Sequence, residues 1–262
     1  MENKCLLSII TVNLNNLEGL KRTIQSVFTQ TWQEFEYIVI DGGSNDGSKE
    51  YMLSYDEKID FWVSEPDKGI YNAMNKGIKK ANGEYLFFLN SGDHFSSKES
   101  LNRIKDDICS FDLIYFNIDL IKDNLRKSIT YPSRLNFSYF ITGTLCHQST
   151  LIRKELFSIV GKYDEELKIV SDWKFLVLAL FKYNCSYQKV NHTLSTFYLD
   201  GISSDPKNLK KLNKEKEAVL IDHFRAFLPE IKELNQVKKT LQDLRNSRKI
   251  NFLVRLGLLK KF

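Results

Sequence analysis

The stretch Gly83-Glu84-Tyr85-Leu86-Phe87-Phe88-Leu89-Asn90-Ser91-Gly92-Asp93 decides how this chain is read. Tyr85 to Leu89 is an unbroken apolar and aromatic run, short enough for a strand covered on both faces. Small polar residues end it, and a single carboxylate follows. Such a strand delivers Asp93 to the C-terminal edge of its sheet, where open α/β sheets bind ligands. A carboxylate there suits a divalent cation that holds a diphosphate. The same residue also reads as a cap for a following helix.

Upstream, Leu6 to Val12 is a second buried-strand run, broken by Asn13 to Asn16. Leu17, Leu20, Ile24, Val27 and Phe28 then recur at helical spacing. Phe35 to Ile40 is a strand closed by Asp41 to Ser48, the strongest turn chemistry in the chain. A short helix near Lys49 to Leu53, a strand from Ile59 to Ser64 and a turn at Pro66 to Gly69 come next. A helix from Ile70 to Lys80 follows, stopped by Asn82-Gly83. This alternation predicts an α/β fold, a mostly parallel Rossmann-like sheet with helices on both faces. Right-handed crossovers place the loops after Val12, Ile40, Ser64 and Leu89 on one rim. That rim carries Thr11, Asn13, Asp41, Asp67, Lys68 and Asp93. No G-x-G-x-x-G follows the first strand and no Walker A sequence is present.

Downstream, Ser96 to Glu99 reads as a capping box opening a helix to about Cys109. Leu113 to Asp119 and Ser128 to Tyr131 read as antiparallel strands around a turn at Asp123-Asn124. A helix from about Lys154 stops near Gly161. Asp172 opens another, Trp173 to Tyr183, whose middle is wholly apolar and so buried. Tyr187 to Val190 and Leu194 to Leu199 are expected as two strands, followed by a polar loop at Asp200 to Ser204. Helices over Asn208 to Phe227 and Ile231 to Ser247 close the chain.

Hydrophobic residues at 42% and charged residues at 27% describe a soluble globular chain. No uncharged apolar run approaches the roughly 18 residues that span a bilayer. Strand-like Leu6 to Val12 begins so early that Met1 to Cys5 leaves no room for a signal peptide. Cys5, Cys109, Cys146 and Cys185 form no C-x-x-C pair and read as reduced cytosolic thiols. The net charge is +5, yet Ile231 to Phe262 alone holds nine Lys and Arg against two acids. A basic tail on a near-neutral body argues against a nucleic-acid binder. Ile231, Leu234, Val237, Leu241 and Leu244 form one apolar stripe in this tail, and Phe252, Leu253, Leu256 and Leu259 another. Apolar stripes among basic residues suit a helix lying on an anionic membrane surface, and equally a helix docked on the domain with a solvated basic face.

Taken in order, Ser8-Ile9-Ile10-Thr11-Val12-Asn13, Asp41 to Ser48, Glu65 to Tyr71, Asn75 to Ile78, Gly83 to Asp93 and Ser171-Asp172-Trp173 form a pattern. It resembles the family 2 nucleotide-sugar glycosyltransferases of the GT-A fold, the bacterial cell-surface polysaccharide type, over roughly Leu6 to Ser204. The resemblance implies a GT-A domain at 1–204, with a nucleotide-sugar half at 1–95 and an acceptor half at 96–204. The basic helical extension is 205–262. It implies a nucleotide-sugar donor, with UDP expected, and a glycan or lipid-linked glycan acceptor. Thr11, Asn13 and Asp41 would line the base and ribose pocket, and Lys68 would approach the diphosphate. Asn90 and Ser91 would border the donor, and Asp93 would hold Mn²⁺ or Mg²⁺. Asp172 would be the catalytic base, with Asp164-Glu165-Glu166 the competing carboxylates. Gly201 and Ser203 would sit in a loop that closes over the donor, and His147, Gln148 and Trp173 would meet the acceptor; His147 and Gln148 also read as a hydrogen-bonded structural pair, and Trp173 as plain packing. The family often has acids where this chain has Asn90 and Gly92, and an acid where it has Ser171. The implied location is the cytoplasm, at the inner face of the plasma membrane where the tail makes contact.

Two other functions share parts of this layout. A sugar nucleotidyltransferase needs a Gly-rich, basic loop after the first strand, and Asn13-Leu14-Asn15-Asn16 lacks one. An inactive nucleotide-sugar-binding protein is compatible with Asn90 and Gly92 in place of acids.

Overall fold

A computed structural model describes residues 6–123 and 125–260. Cys5 and the start of the chain, Asn124 of the expected turn, and the last two residues lie outside that range. Leu7–Asn13 forms β1 and Tyr85–Phe88 forms β4, both buried along their whole length. They pair in parallel from Leu7 opposite Tyr85 to Ile10 opposite Phe88. On the other edge of β1, β2 (Glu36–Asp41) and then β3 (Phe61–Ser64) add in parallel. This is the crossover arrangement that the alternation predicts.

Helix α1 (Leu17–Phe28) starts where Asn16 accepts a hydrogen bond from Gly19 N, and it buries Leu20, Ile24 and Val27. After the short α2 (Ser48–Leu53), α3 (Ile70–Lys80) ends in Lys79 and Lys80, favourable at a helix C-terminus. Its Gly77 seats it on the sheet, because a Cβ there would lie 2.5 Å from Ile10 Cγ2.

Beyond β4 the sheet changes sense. Strands β5 (His94–Phe95), β6 (Leu113–Lys122), β7 (Leu125–Ile129), β8 (Thr150–Arg153) and β9 (Tyr187–Tyr198) complete it. The order is β3-β2-β1-β4-β8-β6-β9-β5, with β7 paired to β6. β8 runs antiparallel to both β4 and β6, while β9 runs parallel to β6. Leu7, Ile9, Ile24, Val39, Phe87 and Leu151 belong to one continuous core.

Two expectations change. The pair of strands expected at Tyr187 to Leu199 is one strand, β9. Its exposed Asn191 and His192 mark an irregularity, where the register with β6 shifts on either side of Asn117. Asn117 Nδ2 donates to Asn191 Oδ1 across that shift (3.1 Å), so the pairing resumes beyond it. The capping box does not form. The helix is α4 (Ser100–Ile104) with one 3₁₀ turn after it, and Glu99 instead accepts from Thr31 Oγ1 (2.7 Å).

The remaining helices are α5 (Phe137–Thr142), α6 (Leu156–Ile159), α7 (Ser171–Phe181), α8 (Leu209–Phe224), α9 (Leu228–Asn246) and α10 (Arg248–Arg255). The chain divides into two compact units, 1–213 and 214–262. Among the described residues no helix is long and apolar enough to cross a membrane.

Candidate active site

The C-terminal ends of β1, β2 and β4 build the rim. Asp41, last residue of β2, has no exposed surface. Its carboxylate accepts from Asn13 Nδ2 (2.7 Å), Ser64 Oγ (2.7 Å), Ser44 Oγ (2.5 Å), Ser44 N (2.9 Å) and Gly43 N (3.1 Å). Burial alone would raise its pKa, but these donors hold it below the ordinary carboxylate range. The carboxylate thus orders its own loop and orients Asn13, whose Oδ1 is a buried acceptor with no partner among the described residues. Thr11 is fully buried. Its hydroxyl lies 2.8 Å from Leu89 O and 3.1 Å from Tyr37 Oη, joining β1 to the end of β4 rather than facing a pocket. Lys68 is exposed on the loop after β3.

The turn after β4 aims Asp93. Asp93 N donates to Asn90 O (3.0 Å), and Ser91 Oγ donates to Asn16 O (3.1 Å). The Thr23 hydroxyl accepts from Gly92 N (3.0 Å) and donates to Asp93 O (2.6 Å). Arg22 donates to Gly92 O (3.2 Å) and lies over the Tyr198 ring at 4.4 Å. Gly92 has φ +106°, a backbone state that disfavours any side chain. Gly92→Ala is therefore expected to lower stability by roughly 1–3 kcal/mol, read from denaturant unfolding; an unchanged midpoint would contradict it.

Asp93 itself is 4% exposed. Gln148 Nε2 donates to its Oδ2 (2.9 Å) and Tyr198 N to its Oδ1 (3.2 Å), so it caps no helix. Burial pushes its pKa up to about 7, against the lowering effects of Gln148, His147 and Tyr198 N.

Asp172 enters from the first turn of α7. The Tyr71 hydroxyl shares its proton between Ile169 O (2.7 Å) and Asp172 Oδ1 (3.0 Å). His147 Nδ1 lies 3.2 Å from Asp172 Oδ2, and His147 Nε2 lies 3.0 Å from Asn90 Nδ2. Burial alone would raise the Asp172 pKa. Its interactions with His147, Trp173 N and Tyr71 outweigh that and hold it below the ordinary range. Two consecutive residues thus bind the two carboxylates, His147 holding Asp172 and Gln148 holding Asp93. Two of the competing acids are otherwise engaged: Asp164 with Lys174 (2.7 Å), and Glu165 with Asn72 (2.8 Å) and Asn75 (2.9 Å), while Glu166 is exposed.

One candidate lies elsewhere. Trp173 is 2% exposed and its Nε1 donates to Phe140 O (2.8 Å), which makes it core rather than a sugar platform. Gly201 and Ser203 belong to the loop between β9 and α8, whose hydrogen bonds include Ser204 N to Gly201 O (3.0 Å) and Asn208 Nδ2 to Ile202 O (2.9 Å).

The sequence profile described as glycosyl transferase family 2 matches residues 8–159. The chain belongs to this family. It is 32% identical over 206 residues to an uncharacterized glycosyltransferase of Mycobacterium tuberculosis, covering 75% of this chain and 76% of that one. It is 29% identical over 177 residues to a PGL/p-HBAD biosynthesis glycosyltransferase of Mycobacterium bovis, covering 65% and 68%. Among solved structures, S. aureus TarS in complex with UDP superposes with a TM-score of 0.61 at 20% identity, over 74% of this chain and 60% of that one. A mannosyltransferase from Pyrobaculum calidifontis, in complex with GDP-Man and Mn2+, superposes with a TM-score of 0.57 at 12% identity, over 97% and 81%. The fold of this family 2 glycosyltransferase is GT-A.

Enzymes of this fold commonly use a divalent metal. Among the described residues no three His, Cys, Asp or Glu side chains cluster to hold an ion. Asp93 keeps free lone pairs, since each of its oxygens accepts one hydrogen bond and can take another. A resident, wholly protein-held ion does not fit this donor set. A cation arriving with a diphosphate needs fewer protein ligands, and Asp93 is the carboxylate here with lone pairs to offer one.

Sequence reasoning gave no role to Tyr71, Arg22 or the Tyr198 backbone. Tyr71 stood inside a recognised string, but its partner is 101 residues away. The Tyr198 contribution is an amide, which carries no side-chain signal.

Proposed function

We propose that this glycosyltransferase moves a sugar from a nucleoside diphosphate donor, UDP being the first to test, to a hydroxyl of a glycan or lipid-linked glycan, with inversion. The observation that carries this reading is the anchoring of Asp93 and Asp172 on the consecutive residues Gln148 and His147. The UDP-bound and UDP-GlcNAc-bound TarS structures support the choice of donor.

The acceptor hydroxyl attacks the anomeric carbon opposite the diphosphate. Its proton passes to Asp172 as the new C–O bond forms and the bond to the diphosphate oxygen breaks. The nucleoside diphosphate leaves with the electron pair, and a single displacement inverts the centre. Asp172, held ionised by its neighbours, is in the proton-accepting form at neutral pH. Asp93 would hold Mn²⁺ or Mg²⁺, which when bound neutralises charge on the leaving diphosphate. Lys68 adds a point charge suited to phosphate, and Asn13 Oδ1 offers an acceptor for an N–H of the base.

A thermal-shift screen of UDP, GDP and dTDP with and without Mn²⁺ tests the donor reading, because a ligand of the folded state raises Tm. The largest shift is expected with UDP plus Mn²⁺. No shift with any nucleotide would overturn it.

The second unit supports attachment to an anionic membrane, where a lipid-linked acceptor would be found. Phe252, Leu256, Leu258 and Leu259 are exposed beside Arg248, Lys249 and Arg255. At roughly 1 kcal/mol per basic residue near such a surface, binding is reversible and salt-sensitive. The full chain is expected to float with phosphatidylserine-containing liposomes at low salt and to be released at high salt. No flotation at low salt rejects membrane attachment.

A further inference from the structure

We propose that His147 is a positioning residue for Asp172, backed by Asn90, and not a contact for the acceptor. The inference rests on the reading of Asp172 as the base. It departs from that reading in where it places His147.

Both ring nitrogens of His147 are engaged inside the protein. Asp172 is ionised and can only accept, so His147 Nδ1, 3.2 Å from Oδ2, carries the proton. On its other side the Asn90 side-chain amide lies 3.0 Å from His147 Nε2. The two contacts occupy both ring nitrogens and leave neither for a sugar hydroxyl. The side chains are recessed, His147 at 14% exposure and Asp172 at 19%, so the ring orientation is fixed by packing as well as by hydrogen bonds.

The opposite oxygen of Asp172 is held by Tyr71. One donor on each oxygen fixes the plane of the carboxylate and leaves lone pairs free for an incoming hydroxyl. Asn90 lies in the same turn that aims Asp93. The amide that orients the base's partner therefore comes from the donor side of the site.

The two amide replacements of histidine separate the contacts. In His147→Asn the amide nitrogen falls near the Nδ1 position and keeps the donor to Asp172. In His147→Gln the amide reaches the Nε2 position and loses that donor. His147→Gln is expected to lower kcat roughly 10- to 100-fold with acceptor KM unchanged, and His147→Asn to recover most of it. Nucleotide-induced thermal shifts report whether each variant is folded. A raised acceptor KM with kcat intact would make His147 an acceptor contact and overturn the proposal. Equal losses in both variants would also overturn it.

A ¹⁵N spectrum of the wild-type imidazole at neutral pH reads the tautomer without any variant. A proton on Nδ1 is expected, and a neutral ring with its proton on Nε2 refutes the assignment. Failure of the underlying reading looks different: Asp172→Asn would then turn over normally. An inactive Asp172→Asn beside a fully active His147→Gln would sink this inference alone.

Discussion

Asp172→Asn is expected to lower kcat by roughly 10²- to 10⁴-fold while UDP still raises the melting temperature. The substitution removes the proton-accepting oxygen but preserves shape. The site can also absorb it. The oxygen of the introduced amide can accept from His147 Nδ1, and its NH₂ group can face Tyr71, whose proton then turns fully to Ile169 O, already 2.7 Å away. No buried donor is stranded, so the loss falls on chemistry rather than on folding. Single-turnover kinetics with saturating donor and acceptor isolate the chemical step. A rate constant within twofold of wild type would remove Asp172 from the mechanism and return attention to Glu166.

Asp93→Asn is expected to abolish cation-dependent nucleotide binding and, in metal-free protein, to raise stability at alkaline pH. The carboxyl group has a pKa near 3.9 in an unfolded chain and about 7 in the fold, raised by burial. Between those values the folded state binds more protons than the unfolded state, so stability falls as pH rises. The neutral form's advantage is complete below about pH 4 and gone above about pH 7. Asparagine mimics the neutral form at every pH. The two proteins should therefore unfold alike near pH 4 and diverge through neutrality. The variant should be more stable by up to about 4 kcal/mol above pH 7, three units at about 1.4 kcal/mol each. Urea unfolding in chelator across that range is the measurement, and parallel stability curves for the two proteins would contradict it. A carboxylate buried at this position thus costs stability while no cation is bound.

Much of the first half of the fold was legible because its strands are covered on both faces. β2 and β4 are apolar runs closed by turn residues, β1 is interrupted only by Ser8 and Thr11, and α1 and α3 show apolar stripes at helical spacing. The same double cover hid the setting of Thr11. In a strand buried on both sides a polar residue has no outward face, and Thr11 satisfies its hydroxyl with Leu89 O and Tyr37. Trp173 was obscured for a related reason, since an apolar helix buried all round offers no surface for a ring to present. β9 was read as two strands because Asn191-His192 looks like a turn, and a register shift leaves no mark in sequence. The chain from Asn90 through His147 to Asp172 was beyond reach. Its links join residues 57 and 25 positions apart, and neither separation follows from local periodicity.

β9 has a consequence for anyone recombining this enzyme with its relatives. The strand begins beside β6, deep in the second half, and ends where its Tyr198 amide holds the donor-side carboxylate. β5, only two residues long, pairs with it at His94 and Phe95. A chimera cut midway, at the apparent seam after residue 95, would graft a foreign strand beneath Asp93. The smallest transplantable cassette that keeps Asp93 on its own backbone amide therefore runs past Tyr198.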